Sequence, residues 1–226
     1  MDFLVTGVLW YFVFLFSLVL HEAAHSLAAF KLGDRTAYLS GQVSLSPVPH
    51  VRREPFGTVV VPVISYLVGG WMMGWASAPY DPFWARNYPK RSALMALAGP
   101  GANLLLVLTA GALIRMGLAL EVFGLPPSFG LSSITAAPQG GIAAFFAAIL
   151  SITFTLNLIL FLFNLLPIPG FDGSHALTLF LSDEQARRFM DLGRNPILTV
   201  VGLVVAWNMF HLLFIPVLRF ALRLLY

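Results

Sequence analysis

The chain contains no cysteine and few charged residues. Without cysteine it can form neither a disulfide nor a thiolate metal site, which leaves His, Asp and Glu as protein ligands for a transition metal. Charged residues make up 10% of the 226 residues and apolar residues 58%, whereas charged residues are about 25% of ordinary soluble domains. The composition therefore excludes an ordinary soluble protein and indicates that much of the surface faces lipid.

Net charge is also small, at +3. The basic residues cluster in a few loops, so they bear on topology and anionic lipid headgroups more than on nucleic acid, for which we find no binding motif. The length leaves room for about four to six spans of about 20 residues, but not for an additional soluble domain of ordinary size. We expect one membrane domain over residues 1–226.

Four apolar stretches are long enough to cross a bilayer, namely residues 3–30, 93–120, 141–166 and 197–215. They predict an all-α polytopic membrane protein with four transmembrane helices. The first stretch has acidic Asp2 in place of a basic leader and is too long for a signal peptide, so we expect it to stay in the mature protein.

A fifth apolar stretch, residues 58–75, is shorter and is interrupted by Pro62, Gly69, Gly70 and Gly74. Basic residues flank it on both sides, and basic flanks belong to the cytoplasm. We therefore predict a segment that enters and leaves the membrane on one face, which re-entrant backbone can do when protein shields it. A complete extra span is the alternative.

This topology places all seven Lys and Arg residues between positions 31 and 91 in the cytoplasm and the N-terminus outside. Arg219 and Arg223 disagree with it, and because they follow Pro216 they could lie on an interfacial helix. The expected location is the cell membrane, with multiple passes.

Residues 38–46 alternate polar with apolar side chains around a glycine, which predicts a short β-hairpin within residues 36–48 on the cytoplasmic side. An exposed strand edge can capture an extended peptide. Tyr38, Gly41 and Val43 are therefore candidate substrate-binding residues.

The first predicted span carries the sequence His21-Glu22-Ala23-Ala24-His25. An ionisable group in a bilayer costs about 3 kcal/mol on insertion scales, so such a cluster indicates a functional site. One helical turn separates His21 from His25, which lets both imidazoles reach one zinc ion, and Glu22 beside them is a candidate general base.

Only Glu22 and Asp172 among the ten acidic residues fall within or at the edge of an apolar stretch. Asp172 ends the block Asn164-Leu165-Leu166-Pro167-Ile168-Pro169-Gly170-Phe171-Asp172, in which the two prolines stop a regular helix. Broken backbone at membrane depth is tolerated where it lines a cavity. Asp172 is therefore the candidate third ligand, although it could instead be a helix cap.

Three blocks carry a resemblance to a known family: His-Glu-x-x-His at 21–25, Ala-Gly-Pro-Gly-Ala-Asn at 98–103, and Asn-x-x-Pro-x-Pro-x-x-Asp-Gly at 164–173. The chain resembles the site-2 protease family of intramembrane zinc metalloproteases. The resemblance implies one catalytic zinc ion bound by His21, His25 and Asp172, with Glu22 as general base and Asn164 as a polar group facing the reaction centre. Phe171 stands where the family often has Leu, a change that leaves the ligand in place.

The expected function is an intramembrane zinc endopeptidase that cuts a peptide bond within or near the transmembrane segment of single-span membrane proteins, as in regulated intramembrane proteolysis. A metal transporter and a catalytically silent homologue are the alternatives. The oligomeric state is left open.

Several polar residues keep simpler interpretations. Asn164 could only hydrogen-bond carbonyls freed near Pro167, and Gly99 could serve only helix packing. We do not assign His50, His175 or His211 to the metal.

Overall fold

The computed structural model describes residues 2–193 and 195–226, and it is built from helices. The helices are α1 (Phe3–Leu32), α2 (Thr36–Leu39), α3 (Pro47–Arg53), α4 (Val61–Gly69), α5 (Pro82–Asn87), α6 (Pro89–Ala119), α7 (Gly141–Asn164), α8 (Asp172–Ala176), α9 (Asp183–Leu192) and α10 (Pro196–Leu225). A π-helical turn, Phe56–Val60, precedes α4, and a 3₁₀ helix, Leu177–Phe180, follows α8.

Helices α1, α6, α7 and α10 are long and apolar enough to cross a membrane, which confirms the four predicted spans. Two boundaries differ from the prediction by more than two residues. Helix α6 begins at Pro89, four residues before the predicted start at 93, and α10 runs ten residues past 215 without ending at Pro216. Arg219 and Arg223 therefore belong to the last long helix and not to a separate interfacial one.

Helix α6 is the centre of the bundle, because both α1 and α7 pack against it. One apolar cluster joins Trp10 and Phe14 of α1 to Ile152 and Leu156 of α7. Another cluster joins α6 and α7 to the C-terminal part of α10. Only 11% of the most apolar window of α10 is buried, against 39–50% in the other three long helices, so most of α10 is available to lipid.

Residues 56–75 form a segment whose two ends meet, and Tyr66 and Met72 within it pack in the apolar cluster of Trp10 and Phe14. After the π-helical turn and α4 the chain continues as irregular backbone, and the amide of Trp75 donates a hydrogen bond to the carbonyl of Gly57 at 3.2 Å. The approach requires glycine: a Cβ on Gly74 would lie 2.2 Å from the oxygen of Gly57. This closed path favours the re-entrant prediction, and the helix is shorter than a complete span.

The predicted β-hairpin at 36–48 is wrong. The described residues contain no strand, and residues 36–39 form α2. The side chain of Asp34 accepts hydrogen bonds from the amide and hydroxyl of Thr36, and Ser46 caps α3 with Pro47 at its first position. These local caps stabilise helical turns and override the alternating pattern, which is only a weak preference over so few residues.

Residues 120–140 connect α6 to α7 through an irregular loop with two isolated bridges, Gly124–Ala136 and Gly130–Ser133. The C-terminal end of α10 lies at the same end of the bundle. The hydroxyl of Tyr226 donates to the carbonyl of Ile134 at 2.8 Å, and Arg115 near the end of α6 donates to the carbonyl of Leu224 at 2.5 Å. Helices α6 and α10 therefore run in the same direction.

Candidate metal centre

The two histidines of α1 lie next to each other and face α6. Their Nε2 atoms are 3.0 Å apart, and the rings meet edge to face with centroids 4.6 Å apart. Both side chains are buried, at 5% and 7% exposure. The structure therefore pairs the two rings as their helical spacing predicted.

A backbone carbonyl orients His25. Its Nδ1 lies 2.8 Å from the carbonyl oxygen of Met95. Because a carbonyl can only accept, Nδ1 carries the proton and donates, which leaves the lone pair of the neutral ring on Nε2. His25 thus directs its unprotonated Nε2, the candidate ligand atom, towards His21.

A chain of buried amides orients His21. The Nδ2 of Asn157 donates to the carbonyl of Thr153 at 2.8 Å, so its Oδ1 must face Asn103 and accept from Nδ2 of that residue at 2.8 Å. The Oδ1 of Asn103 is then left to accept from Nδ1 of His21 at 2.6 Å. Asn157 also donates to the hydroxyl of Ser17 at 2.9 Å.

Those contacts fix the tautomer of His21 as well. Asn103, Asn157 and Ser17 each have 0% exposure, so water does not compete for these bonds. Partners of this kind behind a ligating histidine hold the ring and raise its basicity. The contact between Asn157 and Ser17 could not be predicted from the sequence, because 140 residues separate them along the chain and only the packing of the helices brings them together.

Asp172 completes the group. Its Oδ2 lies 3.2 Å from Nε2 of His21 and 3.2 Å from Nε2 of His25. Candidate ligand atoms of the three residues all lie within 4.8 Å of one another. The structure therefore brings the distant acid to the paired histidines, as the sequence predicts.

Zinc fits this donor set. With both Nδ1 atoms protonated, three lone-pair-bearing atoms converge at 3.0–3.2 Å, an arrangement that requires either a proton on one Nε2 or a cation among the three atoms. Zinc–nitrogen distances of about 2.0 Å in tetrahedral geometry place ligand atoms about 3.3 Å apart. Two imidazoles and one carboxylate are a known catalytic set for zinc, and they leave the fourth position open.

Gly99 is what allows α6 to pass directly over the histidines. A Cβ at this position would lie 2.3 Å from Nε2 of His25 and 2.5 Å from Nε2 of His21, the atoms that face the metal position. Gly101, two residues on, has nothing within 4 Å of the same added atom. Of the two glycines in the 98–103 block, Gly99 alone is required by contact with the site.

Asp172 stands at the start of α8, after the turn that Pro167 and Pro169 impose at the end of α7. Gly173, the next residue, packs against that turn: its added Cβ would lie 2.2 Å from the carbonyl oxygen of Leu165. Burial raises the pKa of Asp172, but in the metal-free protein attraction and hydrogen bonds from His25 and His21, when these rings are protonated, lower it by more, so the pKa lies well below its usual range. The carboxylate is ionised and ready to bind a cation.

Lys90 at the start of α6 holds the other end of this segment. Its ammonium donates to the carbonyls of Thr178 at 2.9 Å and Leu179 at 2.6 Å, and also to that of Leu181. These carbonyls lie at the end of the 3₁₀ helix and just beyond it, and a lysine stabilises such an end. Nothing in the local sequence predicted this contact, because 88 residues separate Lys90 from Thr178.

A cavity of about 270 Å³ opens in front of the three candidate ligands. Glu22, Asn164 and His175 line it, together with residues 76–80 of the irregular segment that follows α4. Glu22 has 4% exposure. The structure therefore places both candidate catalytic residues, Glu22 and Asn164, at the same cavity as the ligand group.

The three candidate substrate residues do not line this cavity. Tyr38 lies on α2 with its ring stacked on Phe30, at 4.5 Å between centroids, and Gly41 occupies a turn with φ of 71°. Val43 follows in irregular backbone. The segment at the cavity is 76–80 instead, directly after the predicted re-entrant segment 58–75 and outside every predicted element.

The profile of Peptidase family M50 matches residues 10–209 of the chain. The chain is 37% identical over 158 residues to a protein of Bacillus subtilis named "Putative zinc metalloprotease YwhC", covering 70% of this chain and 62% of that protein. It is 29% identical over 191 residues to "Putative zinc metalloprotease Rip2" of Mycolicibacterium smegmatis, covering 84% of this chain and 64% of that protein.

The Mycobacterium tuberculosis protein with the Rip2 name is 33% identical over 173 residues, covering 76% of this chain. The chain thus spans less than two thirds of the length of these relatives, from 57% to 64%. No solved structure matches the chain significantly. The matched region contains both histidines, Asp172 and two of the four long apolar helices, α6 and α7, in full, so the protein is a membrane protein that belongs to Peptidase family M50, the site-2 protease family.

Proposed function

We propose that this protein is an intramembrane zinc endopeptidase that hydrolyses a peptide bond within or near the transmembrane segment of single-span membrane proteins. The observation that carries the proposal is the convergence of His21, His25 and Asp172 at 3.0–3.2 Å beside a cavity lined by Glu22. A purely structural zinc site is closed by four ligands and needs no base. In this proposal the 226 residues form one catalytic membrane domain with a single zinc ion.

Zinc, when bound, supplies an activated water and polarises the carbonyl that is attacked. Glu22 takes the proton of that water and later delivers it to the leaving amine, which is the role of a general base that becomes a general acid. Its position next to His21 on α1 keeps the carboxylate within the same cavity. Asn164 donates a hydrogen bond to the oxygen on which negative charge develops.

Helix geometry supports a site near one membrane surface. At a rise of about 1.5 Å per residue, His21 lies about 27 Å along α1, which is close to the full thickness of a hydrocarbon core of about 30 Å. Basic residues between positions 31 and 91 put that end of α1 in the cytoplasm. We propose that the N-terminus is outside, and that α10 ends outside beside the loop 120–140. Water then reaches the site from the cytoplasm.

Residues 76–80 are the proposed docking edge for the substrate, in place of the hairpin that the structure lacks. A helical substrate must unwind before its peptide bond can be cut, and irregular backbone at the cavity can pair with the unwound segment. The segment is held at both ends: the hydroxyl of Ser77 donates to Glu54 at 2.8 Å, and the amide of Asp81 donates to Asp34 at 2.8 Å. It therefore offers a fixed surface beside the metal.

The test uses the purified protein loaded with zinc, a panel of transmembrane peptides and the variant Glu22→Gln. We expect the variant to keep its zinc and to lose about 10²- to 10⁴-fold in cleavage rate, the usual contribution of a general base. Glu184→Gln is the matched control, because this carboxylate pairs with Arg188 on the exposed face of α9. Cleavage by Glu22→Gln at the wild-type rate would remove Glu22 from the mechanism. Zinc uptake into vesicles with no cleavage of any peptide would favour a transporter instead.

A further inference from the structure

His175 is a residue of the metal cavity that the mechanism above does not use. It lies on α8, three residues after Asp172 and therefore about one helical turn along the same face. Its side chain lines the cavity. Among the described residues it is outside the group whose ligand atoms lie within 4.8 Å of one another. The ring is thus beside the ligands without being one of them.

The ring carries an unused hydrogen-bonding atom. Its Nδ1 is buried, and no described residue makes a hydrogen bond with it. Buried polar atoms without a partner are rare in native proteins, and each one calls for an explanation such as a ligand that completes the site. Burial also lowers the pKa of His175. Whatever its charge state, an imidazole presents at least one N–H donor.

Contacts that do not use the ring nitrogens hold His175 in place. The ring meets Tyr80 edge to face, with centroids 6.2 Å apart and an interplanar angle of 78°. The backbone carbonyl of His175 accepts a hydrogen bond from the hydroxyl of Thr178 at 2.7 Å. Thr178 is in turn held by Lys90 through its own carbonyl at 2.9 Å. The ring is therefore positioned before any substrate arrives.

We propose that His175 is a further catalytic residue, which donates a hydrogen bond to the oxygen of the scissile carbonyl as that oxygen becomes negatively charged. This inference rests on the proposed function and adds a second donor to Asn164. In the step, the water oxygen bonds to the carbonyl carbon, the C–N bond then breaks, and the proton travels from water through Glu22 to the amine. His175 transfers no proton and stabilises only the developing charge.

The experiment compares the wild type with His175→Ala, His175→Asn and His175→Gln in zinc-loaded protein. Asn places an amide N–H near the position of Nδ1 and Gln near that of Nε2, so the pair distinguishes which nitrogen donates. His50→Ala is the matched control: His50 has the same buried, unpartnered Nδ1, but it lies on α3 away from the cavity. Three quantities are measured: kcat and KM for a cleaved peptide, zinc content, and affinity for a phosphinic analogue of that peptide.

We expect His175→Ala to lower kcat by about 10²- to 10³-fold, as loss of one oxyanion donor does, with KM and zinc content close to wild type. Affinity for the phosphinic analogue, whose tetrahedral oxygen mimics the oxyanion, should fall by a comparable factor. One of the two amide variants should recover part of kcat. His50→Ala should leave kcat of the folded protein unchanged.

Loss of zinc from all three His175 variants would make the residue a metal-holding group and overturn the proposal. So would an unchanged kcat in His175→Ala, or a fall no larger than in the His50→Ala control. Failure of the proposed function gives a different result, since the wild-type protein would then cleave no peptide and the Glu22→Gln comparison would show no difference.

Discussion

The two halves of the metal centre are held in different ways. His21 and His25 lie in the interior of a long helix, and their rings are oriented by hydrogen bonds that they donate to α6, one of which continues into α7 and back to α1. Asp172 lies after a broken helix, on a short segment fixed by close backbone packing at Gly173 and by Lys90. The histidine half is built into the packed interior of the helix bundle, and the aspartate half is attached to it by a short segment at the edge.

This difference suggests that the two histidines are oriented for metal binding whether or not Asp172 is in position. A buried hydrogen-bonded network is rigid, whereas a segment joined by a turn can shift at small cost. A substitution in the first half should therefore reduce zinc affinity more than the comparable substitution in the second half: Gly99→Ala more than Gly173→Ala, and Asn103→Ala more than Lys90→Met. The following predictions test that order, from the largest effect to the smallest.

Gly99→Ala should have the largest effect, because its Cβ would occupy space 2.3 Å from Nε2 of His25. We expect zinc affinity to fall by at least about 100-fold, the upper range for disturbing the surroundings of a ligand. Competition with a chelator of known affinity measures it. Gly101→Ala is the control, since its Cβ meets nothing within 4 Å. Equal zinc affinities for the two variants would contradict the geometry.

Gly173→Ala should come next. Its Cβ would lie 2.2 Å from the oxygen of Leu165, so the turn that carries Asp172 must move. We expect a loss of about 1–3 kcal/mol in stability from overpacking, together with weaker zinc binding, both measured by thermal unfolding with and without zinc. Gly193→Ala, with 3.4 Å to its nearest atom, should change neither. A variant with wild-type zinc affinity would mean that the turn absorbs the methyl group.

Asn103→Ala should lower zinc affinity by about 10- to 100-fold, as loss of a partner behind a metal-binding histidine does. The substitution leaves Nδ1 of His21 without its acceptor at 2.6 Å and frees the ring to take the other tautomer. The measurement is the same chelator competition, repeated on Asn208→Ala, whose amide donates only to the carbonyl of Val204 on α10. If Asn103→Ala bound zinc like the wild type, the amide chain would serve packing alone.

Lys90→Met should have the smallest effect of the four, about 10-fold or less in zinc affinity, because it acts on Asp172 through the length of α8 and the 3₁₀ helix. Lys90→Arg should recover part of the loss by donating to the same carbonyls. Arg86→Met is the control: it removes an exposed ion pair with Asp191 that ties α5 to α9. A larger loss in Lys90→Met than in Asn103→Ala would reverse the proposed order of the two halves.

The sequence predicted the long helices and the ligand group better than it predicted their surroundings. Runs such as 141–166 are uniformly apolar, and only a helix satisfies the backbone in lipid, so the prediction follows from one strong constraint. Asp172 was recognisable because it is one of two acids at an apolar stretch. These inferences need no knowledge of which helices touch.

Contacts between distant residues could not be predicted in the same way. The order Ser17, Asn157, Asn103 and His21 depends on how three helices pack, and no local pattern encodes it. The hairpin prediction failed because an alternation of a few residues competes with caps at Asp34 and Ser46 that are individually worth about 1 kcal/mol. The secondary structure of short segments depends on such small differences in free energy.

The amide chain behind His21 has a direction, because it ends on a backbone carbonyl that can only accept. Flipping one of these amides alone would place two donors or two acceptors opposite each other at the next hydrogen bond. The amides can therefore flip only together. Asn157 on α7 therefore determines, through Asn103 on α6, which ring nitrogen of His21 carries the lone pair. A protein stripped of zinc should keep that choice, with the hydrogen on Nδ1 visible in the nitrogen spectrum of labelled histidine.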